Sequence, residues 1–127
     1  MDFSKLVREF YHKHGVKVNE KPTLNVAGKE LRKKLHREET EELARAIDEN
    51  DLIEIADALG DIAYVLHGTA LEYGIPLDAV FAEVHRSNMT KEGARRGDGK
   101  IIKGPTFEPP RIAEILVRAG ALTGGAA

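Results

Sequence analysis

Apolar residues recur at i, i+3, i+4 and i+7 along most of this chain, the spacing that gathers them on one face of an α-helix. Phe3, Leu6, Val7, Phe10 and Tyr11 form the first stripe. It predicts a helix from Phe3 to about His14, with Asp2 as N-cap and Gly15 as stop. Residues 16–28, with Asn19, Pro22, Asn25 and Gly28, read as a loop. Leu31, Leu35, Leu43, Ala46 and Ile47 carry a second helix over roughly Lys29 to Asp48. Asn50 or Asp51 caps a third, which runs to about Tyr73 and ends at Gly74. That helix is apolar nearly all round (Leu52, Ile55, Leu59, Ile62, Leu66), as a central, buried helix would be. Pro76 suits the first turn of a fourth, Leu77 to about Thr90, with Leu77, Val80, Phe81 and Val84 as its inward stripe. Residues 93–110 are rich in Gly, Pro and basic side chains, with a tight turn or small hairpin at Asp98-Gly99. A short helix from Arg111 to about Ala119 precedes a Gly/Ala tail. No segment alternates as a strand should. The prediction is an all-α fold: one four-helix bundle-like domain over residues 1–119 with a short extra C-terminal helix, and a disordered tail at 120–127.

Several acidic residues interrupt this pattern by pointing the wrong way. At about 100° of rotation per residue, Glu39 and Glu42 land inside the apolar stripe of the second helix, whereas Glu41 and Arg37 land outside it. On the third helix, Ile53, Tyr64 and Val65 flank the arc that carries Glu54, Asp57 and Asp61. Carboxylates on a core-facing arc cost several kcal/mol each unless they are paired or bound to a cation. No Lys or Arg lies on those arcs to neutralise them. Glu39/Glu42 and Glu54/Asp57 share i, i+3 spacing on consecutive antiparallel helices, so four carboxylates face a common volume. Hard cations such as Mg²⁺ take oxygen ligands of this kind, and Asp61 is a further ligand or a supporting acceptor.

Composition narrows the alternatives. A chain of 127 residues holds one core rather than two. Its formal net charge of −2 gives no basic footprint for nucleic acid and no reason to expect a membrane surface. With no cysteine, thiolate sites and Cys nucleophiles are excluded, and a reducing cytoplasm is the expected compartment. No apolar run is long enough to span a bilayer. Glu9-x-x-His12 is the lone Glu-x-x-His pair, and a di-iron centre needs two. Neither a His-Asp doublet nor an Asp-x-Asp nucleophile is present. Phe10, Tyr11 and His14 on the first helix offer a stacking surface for a base, although aromatics at helical spacing usually belong to the core.

Glu38-Glu39-Thr40-Glu41-Glu42 followed by Glu54-Ile55-Ala56-Asp57 resembles the EExxE…ExxD signature of the MazG-like all-α nucleoside triphosphate pyrophosphohydrolases. Asn88-Met89-Thr90-Lys91 resembles the Asn/Lys element on the following helix of that family. The resemblance covers about Phe3 to Lys91, and residues 100–110 look like a tail found in one subgroup. It implies Mg²⁺- or Mn²⁺-dependent cleavage of a (d)NTP to the monophosphate and pyrophosphate, in a role of nucleotide-pool house-cleaning. Carried over, Glu39, Glu42, Glu54 and Asp57 hold metal, with Glu38 as an auxiliary ligand or the base that orients water. Phosphoryl transfer relies on charge neutralisation and positioning, which such a cluster supplies. Asn88, Lys91 and Lys103 are the expected substrate contacts. The resemblance also points to a homodimer or a dimer of dimers. Two rival readings remain: the same scaffold acting on phosphoribosyl-ATP or another pyrophosphate metabolite, and a non-catalytic helical dimerisation module.

Overall fold

In a computed structural model, residues 1–121 are described. Five helices follow in order: α1 (Phe3–Lys13), α2 (Lys29–Asp48), α3 (Leu52–Tyr73), α4 (Leu77–Asn88) and α5 (Ile112–Arg118). Among the described residues there is no strand, only an isolated antiparallel bridge between Arg95 and Ile101 around the expected Asp98-Gly99 turn. The all-α class is as the periodicity predicted. Residues 122–127, most of the tail expected to be disordered, lie outside the described residues. No described helix is long and apolar enough to cross a membrane.

The helix ends follow from local chemistry. Asp2 and Asp51 accept the backbone N–H groups of Lys5 and Glu54 at 3.0 and 3.1 Å, which satisfies free donors at the starts of α1 and α3. Gly15 and Gly74 stop the same helices at φ +67° and +63°. At Gly74 a Cβ would also run into the Lys21 carbonyl, whereas Gly15 faces open space. Gly74→Ala should therefore cost more than about 2 kcal/mol in urea denaturation and Gly15→Ala about 1 kcal/mol. Equal costs would show that the close approach at Gly74 carries no energy. α4 stops two residues short of the expected Thr90. There the Thr90 hydroxyl donates to the Ser87 carbonyl at 2.7 Å and accepts the Glu108 N–H at 2.9 Å, which draws the chain out of the helix.

The contacts divide the chain into two compact units, Met1–Ile75 and Pro76 onward. In the first, α2 and α3 form an antiparallel hairpin and α1 packs on α3. Val7, Tyr11 and Leu71 make its small apolar core, with Val18 against them. A buried polar network adjoins this core. Arg32 of α2 donates to Glu72 at 2.9 Å, to the Tyr11 hydroxyl at 3.1 Å, to Thr69 at 2.9 Å and to the Val65 carbonyl at 2.9 Å. Tyr11 in turn donates to Glu72, and burial followed by that carboxylate pushes its phenol well above the usual range. Glu72 also accepts from Asn25 at 2.8 Å, tying the α1–α2 loop to α3.

α3 is not the uniformly buried helix that its sequence suggests. Its C-terminal part is buried at Gly68, Ala70, Leu71 and Glu72, but Leu52 and Ile53 are 79% and 80% exposed. Within this unit α3 has two helical neighbours, which leaves much of its apolar circumference without a covering element.

In the second unit Glu83 joins α4 to the start of α5. It accepts from Arg86 at 2.8 and 2.9 Å and from the Arg111 N–H at 2.6 Å. The Arg86 hydrogen bonds, then the Arg111 amide, hold its carboxyl down at about 2. Of the expected inward stripe, Leu77 and Val80 are half-buried while Phe81 and Val84 are exposed. The seven-residue α5 is too short to cover the whole face.

Candidate metal centre

Where α2 and α3 face each other, the seam changes from apolar to acidic. Glu39, on the line of Leu35 and Ala46, is drawn into it and half-buried. Glu42 follows nearly one turn later at the exposed edge, and Asp61 approaches from α3. One carboxylate oxygen from each of Glu39, Glu42 and Asp61 lies within 4.8 Å of the other two. The Glu39 Oε2 atom is buried without a hydrogen-bond partner. Burial, then the charges of Glu42 and Asp61, raises the Glu39 carboxyl above its ordinary range; burial, then Asp57 and Glu42, does the same to Asp61.

Asp57 stands one turn before Asp61 and acts on it directly. With Glu54 and Glu42 it lines an adjoining cleft of about 370 Å³. These five acids thus fall into a compact triad and a pair that opens beside it. Glu38 faces away to an exposed ion pair with Lys34 at 3.8 Å, although its charge still reaches Glu39. Asn88, Lys91 and Lys103 belong to the second unit. Asn88 is the exposed last residue of α4, Lys91 is half-buried just beyond it, and Lys103 sits 5.0 Å above the Phe107 ring.

This donor set fits a divalent cation. Oxygens that share one small octahedral ion stand about 3–4 Å apart, so modest rotamer changes would close the triad on it. A bound cation would also satisfy the orphaned Glu39 oxygen and offset the mutual repulsion.

Two features escaped the sequence reading. Arg45 lines the acidic cleft, a cation beside arcs that the helical spacing leaves without one. Its signal was visible, three residues after Glu42, but it lies at the margin of the stripe. The second is an aromatic cleft of about 350 Å³ between α1 and α3, lined by Phe3, Leu59, Gly60, Tyr64 and His67 among others. Phe3 and His67 rings are 5.6 Å apart, and Phe10 meets the Tyr64 edge at 5.7 Å. Gly60 and Tyr64 are interleaved with Asp57 and Asp61 on α3, so this cleft adjoins the acidic group. Of the proposed stacking trio, Tyr11 is core, while Phe10 and His14 lie against each other at 4.5 Å.

The family model described as phosphoribosyl-ATP pyrophosphohydrolase matches residues 7–88. The chain belongs to that family. The family sits within the MazG-like all-α superfamily. The triad and the pair lie inside the match; Asn88 is its last residue, and Lys91 and Lys103 fall beyond it. An uncharacterized protein of Acanthamoeba polyphaga mimivirus is 52% identical over 48 residues. That stretch is 38% of this chain and spans 19% of the viral protein's length.

Proposed function

We propose that this protein is a divalent-metal-dependent pyrophosphohydrolase that cleaves phosphoribosyl-ATP, or a closely related nucleoside triphosphate, to the monophosphate and pyrophosphate. The observation that carries this reading is the buried, partnerless Glu39 oxygen inside a three-carboxylate group, in a chain of this family. Glu39, Glu42 and Asp61 would hold Mg²⁺ or Mn²⁺, with Glu54 and Asp57 at the mouth of the same site. A cation bound there would neutralise the phosphate chain and polarise the reacting water. In this proposal Glu38, whose charge reaches Glu39, leaves its exposed contact with Lys34 to take a proton from that water. Arg45 supplies a positive charge to the outgoing pyrophosphate. The aromatic cleft beside Asp57 and Asp61 takes the base.

Self-association completes the proposal. Leu52 and Ile53 at the start of α3 leave an apolar surface that a second copy of the chain would cover, as a homodimer or a dimer of dimers.

Nucleotide-pool house-cleaning on ordinary or modified (d)NTPs would use the same machinery and differs in what the base cleft accepts. A substrate panel separates the two. Phosphoribosyl-ATP and a set of (d)NTPs are assayed with Mg²⁺ or Mn²⁺, and both pyrophosphate and monophosphate are measured. The proposal expects kcat/KM for phosphoribosyl-ATP to exceed that for every plain (d)NTP by at least about tenfold. Preference for one modified (d)NTP would favour house-cleaning. Release of orthophosphate in place of pyrophosphate would contradict both. Arg45→Gln should lower kcat/KM by about tenfold or more with metal affinity little changed; unchanged kinetics would remove Arg45 from the site.

A further inference from the structure

The far side of the α2–α3 hairpin carries a second cleft of opposite charge. Lys29, Lys33, His36 and Arg37 line its α2 wall, and Thr69 and Tyr73 its α3 wall. The four α2 residues recur at i, i+4, i+7 and i+8, so they share one helix face. Lys33 lies nine residues before Glu42, half a turn around the helix, so this face is turned away from the carboxylates. The cleft measures about 490 Å³, within the span of about 300–1,000 Å³ usual for small-molecule sites. No carboxylate lines it.

We propose that this cleft is a separate binding site for a small phosphorylated molecule, its phosphate on Lys29, Lys33 and Arg37 and its body over Tyr73. Three observations support that ligand class. Among the described residues, Lys29 and Arg37 have no carboxylate within 4 Å, and Lys33 has one loose, exposed contact with Glu30 at 3.4 Å. The chain as a whole is acidic, so the concentration of cations here is local rather than a by-product of composition. The floor is fixed in advance: Thr69 is held by Arg32 at 2.9 Å and by His36 at 2.7 Å, and Arg32 is anchored to Glu72. That floor holds the cleft's shape while the exposed side chains of Lys29, Lys33 and Arg37 turn onto an anion. A nucleic-acid backbone is a poorer match, because the cations are confined to one cleft on a chain of net charge −2. This site does not depend on the hydrolytic reading.

The test is a titration of the full chain with AMP and with inorganic pyrophosphate in the presence of Mg²⁺, followed by ¹H–¹⁵N NMR. Saturable shifts at Lys33, Arg37, Thr69 and Tyr73 are expected. Lys33→Gln/Arg37→Gln, both at exposed positions, should weaken that binding at least about tenfold. Lys17→Gln, an exposed lysine on the α1–α2 loop, should leave it unchanged. Shifts confined to the neighbourhood of Glu39 and Asp61, or equal losses in the Lys17 variant, would overturn the assignment. Tighter binding of a short duplex oligonucleotide than of AMP would overturn it in favour of a nucleic-acid surface.

Discussion

Glu39→Gln should lower metal-dependent hydrolysis by at least about a hundredfold and, in the same protein without metal, raise the thermal midpoint at neutral pH. Both effects have one cause. The Glu39 carboxylate is pushed into the α2–α3 seam against Glu42 and Asp61, and one of its oxygens finds no donor. Its folded pKa is raised above the unfolded value. Between those two values the native state holds more protons than the unfolded chain, so stability falls as pH rises through that window. This contribution is therefore most favourable below the ordinary carboxylate range and is lost as pH climbs through the raised folded pKa. Asp61 adds a slope of the same sign. Gln keeps the shape of Glu and removes the charge, so the variant should show a flatter metal-free pH profile. Metal should stabilise the wild type strongly and the variant weakly, as expected for a ligand that binds the native state alone. A variant that keeps its activity, or is less stable than wild type without metal, would sink this account of the triad.

Arg32→Ala should destabilise the fold by about 3–5 kcal/mol, the cost of leaving the partner of a buried ion pair uncompensated. The guanidinium and the Glu72 carboxylate are 10% and 11% exposed, and Arg32 also serves Tyr11, Thr69 and Val65. Its removal would strand hydrogen-bonding groups on α1 and α3 together. Replacing both charges, as Arg32→Met/Glu72→Leu, should cost much less than the sum of the two single changes, because the mutual desolvation problem disappears. Urea denaturation of the four proteins of this cycle measures the coupling. A single-variant loss below about 1 kcal/mol would mean that water reaches the pair and screens it.

Much of this was legible in the sequence, for identifiable reasons. The α2 limits Lys29–Asp48 and the α3 stop at Gly74 followed from apolar spacing and from glycine's access to positive φ. Glu39 and Glu42 stood out because each occupies a position that Leu or Ala would otherwise take. The triad itself was less legible. Spacing placed Asp61 as an accessory to Glu54 and Asp57, yet at the seam Asp61 stands closer to Glu39 and Glu42, because pairing across an antiparallel hairpin depends on a register that one helix does not reveal. Arg32 was hidden for a related reason. Between Leu31 and Leu35 it looks like a break in the stripe, and its partners lie some 20 to 40 residues away on α1 and α3. The apolar circumference of α3 was read correctly as composition but not as burial, since Leu52 and Ile53 stay open on this chain.

The most direct test of the central claim is a Mn²⁺ titration followed by electron paramagnetic resonance, with wild type beside Asp61→Asn at neutral pH. The account predicts saturable binding by the wild type and affinity reduced at least about tenfold in the variant, with the helical content of both unchanged. Equal affinity in the two proteins, or no binding by the wild type, would contradict the assignment of the α2–α3 acidic seam as the metal centre.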